Sequence, residues 1–247
     1  VRISNISESV VTRVCMSTNE KTLQARLQQV NQRIAAYALK YAREPNSVQL
    51  VAVSKTQAAE RVRAAHSLGQ RRFGEYYLQE ALAKMEALRD CDIEWHFIGP
   101  IQSNKTRDLA THFDWVHSID RSKIAQRLND QRPAERGPLN VLLQVNLSNE
   151  DSKSGCSLAE LPSLAQAVAG LPQLVLRGLM AIPAPAATLT AQRLVFRQLA
   201  EARSRLQAAG HQHCTELSMG MSADFEAAIA EGATLVRIGS DIFGPRL

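Results

Sequence analysis

What most constrains this chain is a repeated alternation of short apolar runs with amphipathic stretches. The apolar runs fall at 48–54, 71–74, 93–99, 115–119, 139–147, 174–182, 214–219 and 234–239. Between them, 58–68, 76–89, 103–111, 121–131, 158–169, 190–209 and 223–231 place apolar residues at helical spacing. Short apolar runs of this kind read as buried strands, and strands alternating with helices argue for a parallel sheet. Eight such units predict an α/β fold, a single (β/α)8 TIM-type barrel at its compact end. The competing arrangement is an open doubly wound sheet of six or seven strands, because the runs at 71–74 and 115–119 are weakly apolar.

An extra N-terminal helix precedes the first unit, over 17–43. Ser17 and Glu20 have capping-box spacing, and Leu23, Leu27, Val30, Ile34, Tyr37 and Tyr41 form one stripe. Pro45 is expected to stop it. Residues 1–15 lack an initial Met and a long apolar core and precede Met16. They are expected to be a disordered upstream or added tail, leaving 16–247 as one domain with no dividing linker.

Composition narrows the function classes. A formal charge of +5 on 247 residues, without a Lys/Arg block interleaved with aromatics, does not indicate nucleic acid. No apolar run approaches the ~18 residues a membrane span needs. The four cysteines are far apart with no CxxC pair, which fits a reducing cytoplasm better than a disulfide framework.

The residues with chemical potential sit at the C-terminal ends of the predicted strands, the working face of such barrels. The first strand, QLVAV, runs into Ser54 and Lys55. A lysine there has its stem in an apolar wall and its amine at the barrel mouth. Desolvation disfavours the ammonium and so favours the nucleophilic amine, although a lysine that snorkels or pairs with a carboxylate reads the same way. After the seventh strand, Ser222 stands where it could cap a helix beginning at Ala223. After the eighth, Gly239 and Ser240 open a short helical turn. Two such starts can receive a phosphate or can simply be capped helices. Arg237 lies inside an apolar strand and needs an acceptor: a carboxylate from another strand or a ligand.

Three other motifs are weaker. Gly99 to Thr106 nearly matches the phosphate-binding G-x4-G-K-[ST] pattern, but Asn104 replaces the second glycine and Pro100 removes an amide. His211, His213 and Cys214 lack a fourth metal ligand, and Cys156 has no matched histidine.

Taken together, LVAVSKT (50–56), RRFGEYYLQEAL (71–82), EWHFIGPIQSNK (94–105), VNLSNEDSKSG (145–155), LRGLMAIP (176–183) and SMGMSADFEAAIAEGATLVRIGSDIFG (218–244) resemble the YggS/PROSC family of pyridoxal 5′-phosphate (PLP) homeostasis proteins. The resemblance runs from about Leu23 to Phe243. It implies a barrel like the N-terminal domain of alanine racemase, with PLP held as an internal aldimine on Lys55. It also implies phosphate contacts from the Ser222 loop and from Gly239 and Ser240, and Arg237 at or near the pyridine nitrogen. An arginine there discourages protonation of the ring and weakens it as an electron sink.

Two departures stand out. The family's G-E-N-Y reads Gly74-Glu75-Tyr76-Tyr77, so the bulkier Tyr76 takes the place of an asparagine close to the cofactor. Asp241 adds a negative charge near the expected phosphate, which loosens it unless the side chain points outward.

The resemblance implies a cytoplasmic PLP carrier or buffer with no robust catalysis. PLP-dependent apoenzymes are candidate recipients, Lys153 is a secondary PLP-reactive site, and the expected state is a monomer or weak dimer. Neither a nucleic acid nor a membrane is an expected partner. The alternative is a PLP-dependent, racemase-like enzyme. Such racemases draw a second base from a further β domain, which a chain ending at Leu247 is not expected to carry.

Overall fold

Eight parallel strands close into a barrel in chain order in the computed structural model, which describes residues 18–148 and 154–245. The expected tail at 1–15, Ser17 of the expected capping box and Lys153 lie outside the described residues. The strands are β1 Gln49–Val53, β2 Arg72–Glu75, β3 Glu94–Phe97, β4 Trp115–Ile119, β5 Leu139–Gln144, β6 Leu174–Met180, β7 Glu216–Ser218 and β8 Leu235–Ile238. Helix α1 spans Thr18–Lys40 and precedes them. The strands are followed in turn by α2 Ala59–Ser67, α3 Leu78–Ala87, α4 Thr106–His112, α5 Ser122–Gln131, α6 Leu161–Ala169, α7 Leu189–Ala208, α8 Phe225–Ala230 and α9 Ser240–Phe243. β1 pairs with β8 from Gln49↔Leu235 to Ala52↔Ile238, which closes the sheet and removes its edges. The open doubly wound alternative is therefore excluded.

Alternate residues of a strand face opposite sides, and here the two sides differ in chemistry. Outward residues such as Leu50, Ala52, Phe73, Trp95, Phe97, Val236 and Ile238 pack in the main core. The α-helices cover them with Val62, Leu109, Ile124, Leu128, Val168, Phe196 and Phe225. Inside the barrel the apolar cluster is small: Val51, Leu142, Met180 and Leu235, with Trp115 packed against them. The remaining interior includes the buried polar residues His96, His117, Ser218 and Arg237. Barrel interiors of this class are usually layered with Val, Ile and Leu, so four polar groups in one interior need an account.

Helix α1 buries Leu23, Leu27, Val30, Ile34 and Ala38 against α2, α8 and α9. It ends at Lys40, short of the expected end at 43. Ala42 takes a left-handed conformation (φ 54°), and the Arg43 amide bonds back to Ala38 O at 2.9 Å. That is a Schellman-type stop, built by backbone geometry before proline is reached. Pro45 instead opens a separate 3-10 turn, Pro45–Ser47.

Candidate functional site

The C-terminal strand ends surround a cavity of about 470 Å³ lined by Lys55, Tyr76, Ser222, Arg237, Gly239 and Ser240, together with Val53, Thr56, Ile98, Ile182 and Met221. All six residues singled out in the sequence thus meet in one space, although they are up to 185 positions apart (240 − 55).

Lys55 lies between two residues clamped from behind by α3. Lys84 Nζ donates to Ser54 O (2.6 Å) and to Glu75 Oε1 (2.7 Å). The Ser54 hydroxyl donates to the same Glu75 oxygen at 2.6 Å. On the other side, Glu80 Oε1 accepts the Thr56 amide at 2.6 Å and pairs with Lys84 at 2.6 Å. Thr56 has φ 64°, a conformation that a β-branched residue adopts only under constraint, at a cost of about 1–3 kcal/mol. Lys84 therefore reaches the backbone on one side of Lys55 directly and on the other through Glu80. Burial pushes the Glu75 carboxyl up, and the Lys84 charge opposes that shift.

Glu75, Glu80 and Lys84 were given no role in the sequence reading. A Glu four places before a Lys on a helix reads as an exposed pair, and nothing local says that Lys84 is 5% exposed. The Lys55 amine itself lies 4.3 Å from the centre of the Tyr76 ring. Tyr76 also lines a second cavity of about 410 Å³, which shares Ile98, Ile182 and Met221 with the first.

In the same cavity, the Ser222 and Ser240 hydroxyls are 3.1 Å apart. Gly239 brings them beside β1, because a Cβ there would stand 3.1 Å from Val53 O. The first amides of α9 have no acceptor within that short helix. Ser222 is not the N-cap that its position suggested. Helix α8 starts later, at Phe225, and Asp224 Oδ1 accepts the Met221 amide at 2.6 Å. Ser222 instead sits in the preceding turn, half-buried on the cavity wall. Asp241 pairs with Arg33 of α1 at 2.8 Å and does not line the cavity, so its charge is partnered outside it.

Arg237 is 3% exposed. It donates to Ser218 Oγ at 2.6 Å and to Ala181 O at 3.0 Å. Among the described residues no carboxylate lies within ion-pair distance of it, so the proposed strand carboxylate is not its partner. Burial lowers its pKa to about 10, with the Asp224 charge opposing, so it remains a cation at neutral pH.

The phosphate-loop look-alike has another job. A Cβ on Gly99 would clash with Tyr76 O, so this glycine permits a close backbone passage. The Thr106 hydroxyl is shared between Ser103 O (3.0 Å) and Gln131 Oε1 (2.7 Å). Burial pushes the thiols of Cys156 and Cys214 up to about 11, which leaves them protonated and weakly nucleophilic. Among the described residues no cluster of three or more His, Cys, Asp or Glu could hold a metal.

The family profile described as alanine racemase, N-terminal domain, matches residues 22–246. A pyridoxal phosphate homeostasis protein of Pseudomonas aeruginosa is 56% identical over 91% of this chain and 96% of its own length. One from Escherichia coli K12 is 55% identical over 89% of this chain and 95% of its own. The structure of PipY from Synechococcus elongatus with PLP bound superposes with a TM-score of 0.81 at 38% identity, covering 90% of this chain and 100% of PipY. Matching these relatives over nearly the whole of both chains, with a barrel of the same fold, this chain belongs to the pyridoxal phosphate homeostasis family within the alanine racemase N-terminal domain group.

Proposed function

We propose that this chain binds PLP at the mouth of its barrel and acts as a carrier and buffer in vitamin B6 homeostasis. The observation that carries this reading is the meeting, in one cavity, of the Lys55 amine with the Ser222 and Ser240 hydroxyls and the Arg237 guanidinium. A cavity of about 470 Å³ is within the usual range for a small cofactor. PLP supplies an aldehyde carbon that condenses with an amine, losing one water, and a pyridine ring that withdraws electrons.

Lys55 holds that aldehyde as a Schiff base, and the clamp around it fixes where the amine sits. Ser222, Ser240 and the opening amides of α9 receive the phosphate. Arg237 faces the ring nitrogen as a donor, which leaves that nitrogen unprotonated and suits retention better than turnover. Residues 16–247 form the binding unit, PLP-dependent apoenzymes are the recipients, and the working state is a monomer or weak dimer in the cytoplasm. No helix among the described residues is long and apolar enough to cross a membrane.

Protein incubated with PLP and desalted should keep a visible absorbance band that hydroxylamine removes, and should not interconvert alanine or serine enantiomers. A colourless product would overturn the binding reading, and enantiomer turnover would replace the carrier with an enzyme.

Arg237→Ala should weaken PLP retention more than Ser240→Ala does. A charged hydrogen bond contributes about 1.5–3 kcal/mol against about 1 for a neutral one. Equilibrium dialysis of both variants, each checked by thermal melt, decides it. Equal affinities in a folded Arg237→Ala protein would remove Arg237 from the site.

Tyr76→Asn should bind PLP as well as the native chain or up to about tenfold more tightly. The Tyr76 ring stands 4.3 Å from the Lys55 amine and takes up space that the incoming aldehyde needs, whereas the smaller asparagine frees that space and adds an amide that can hydrogen-bond the cofactor. A clear loss of affinity in the folded variant would instead make the Tyr76 ring a contact that holds PLP.

A further inference from the structure

A single hydrogen-bonded chain crosses the barrel interior from the cavity to the opposite end. Arg237 Nη1 meets Ser218 Oγ at 2.6 Å. Ser218 Oγ meets His117 Nδ1 at 2.9 Å. His117 Nε2 meets His96 Nδ1, and His96 Nε2 meets Glu94 Oε1, each at 2.9 Å. Glu94 opens β3 and pairs with Arg72, which opens β2, at 3.2 Å.

The direction of this chain follows from what each group can do. A neutral imidazole has one donor and one acceptor nitrogen, an arginine only donates, and a carboxylate only accepts. Glu94 is kept ionised by its ion pair with Arg72 and by partial exposure at the barrel end; the His96 hydrogen bond and Arg72 both hold its carboxyl below the ordinary range. His96 must then carry its proton on Nε2, which leaves Nδ1 bare. That bare nitrogen requires a donor, so His117 also carries its proton on Nε2 and leaves its own Nδ1 bare. The Ser218 hydrogen is therefore committed to His117, and its oxygen is left to accept from Arg237. Had Glu94 been neutral and donating, both imidazoles could have taken the other tautomer. The carboxylate makes the choice. Burial at the centre of the barrel supports neutral rings, lowering both histidine pKa values.

We infer that His96 and His117 are positioning residues for Arg237, acting through Ser218 as a one-directional relay anchored on Glu94. This rests on the reading that Arg237 faces bound PLP. The relay accounts for a guanidinium buried without an adjacent carboxylate. It gives Nη1 an acceptor strengthened by a polarised chain that ends on an anion, and keeps that anion at the far end of the barrel. An acidic residue in direct contact with Arg237 would instead draw the cation away from the cofactor.

Nitrogen-15 NMR of histidine-labelled protein without ligand, at pH 7, should show His96 and His117 neutral with the proton on Nε2. His117→Phe keeps a ring against Trp115 but cuts the relay. It should weaken PLP binding about tenfold and shift the absorbance maximum of the bound cofactor. Ser218→Ala should produce the same spectral shift, and the double variant should lose no more than the worse single one, since both cut one chain. If His117→Phe does not fold, Ser218→Ala and Glu94→Gln are read by the same measures. Glu94→Gln should give a smaller shift in the same direction, from a substitution at the opposite end of the barrel.

A charged or Nδ1-protonated His96 or His117 overturns the relay. So do folded variants with native affinity and spectrum, or losses that add in the double variant. A native protein that retains no PLP band overturns the underlying function instead, which the native sample reveals before any variant is compared.

Discussion

Replacing Lys55 with alanine will abolish the hydroxylamine-sensitive band of the PLP-treated protein and weaken retention by about a hundredfold or more. The expectation comes from the geometry around Lys55 rather than from the lysine alone. Its neighbours Ser54 and Thr56 are both tied to α3, so the amine leaves β1 in one direction. Holding a reacting group in place replaces an encounter in solution with an intramolecular step, the main source of advantage over other lysines. Borohydride reduction followed by peptide mass spectrometry should therefore place the dominant adduct on Lys55. In Lys55→Ala the remaining label should scatter at low occupancy. Stability should change little, because the side chain lines a cavity and is only half-buried. A dominant adduct on any other lysine, or a Lys55→Ala protein that keeps the band, would falsify the covalent assignment and leave at most a non-covalent site.

Lys84→Met is expected to cost about 3–5 kcal/mol of folding stability, read as a lower denaturant midpoint at unchanged slope. Glu75 is fully buried, and Lys84 and Ser54 both reach one of its oxygens. The other oxygen, Oε2, has no hydrogen-bond partner among the described residues. Removing the lysine leaves a buried carboxylate with only a hydroxyl, the condition under which breaking a buried pair is most damaging. The deficit should shrink toward acidic pH, because protonating Glu75 removes the buried charge. A second substitution, Glu75→Gln, should restore most of the loss, since both members of the pair are then neutral. The double variant should still bind PLP less well than the native chain, because Ser54 O has lost the Lys84 contact. A Lys84→Met protein as stable as the native one would show that Glu75 is already neutral, and the clamp would lose its ionic basis.

Local pattern carried the architecture. Alternation of apolar runs with helical stripes is a property of neighbouring residues, so the eight strand–helix units and the added helix α1 were legible without coordinates, whereas the β1–β8 pairing that excludes an open sheet came only with the structure. So were the residues at the strand ends, because a parallel barrel puts every C-terminal end on one face and Lys55, Ser222, Arg237 and Ser240 each follow or close a run. Details set by backbone geometry were less legible: α1 ends on a left-handed Ala42 ahead of Pro45, and the turn before α8 moves Ser222 out of the capping position.

What the chain could not state locally was which polar groups meet. The charge of Asp241 reads as a threat to a phosphate until Arg33, 208 positions away, is found beside it. Lys84 reads as a solvated helix residue until the fold buries it against Glu75. His96 and His117 look like two isolated histidines in apolar strands, and only barrel closure brings Ser218 to within hydrogen-bond reach across 101 positions. Burial and pairing of charges depend on distances between remote segments, and those distances exist only once the sheet has closed.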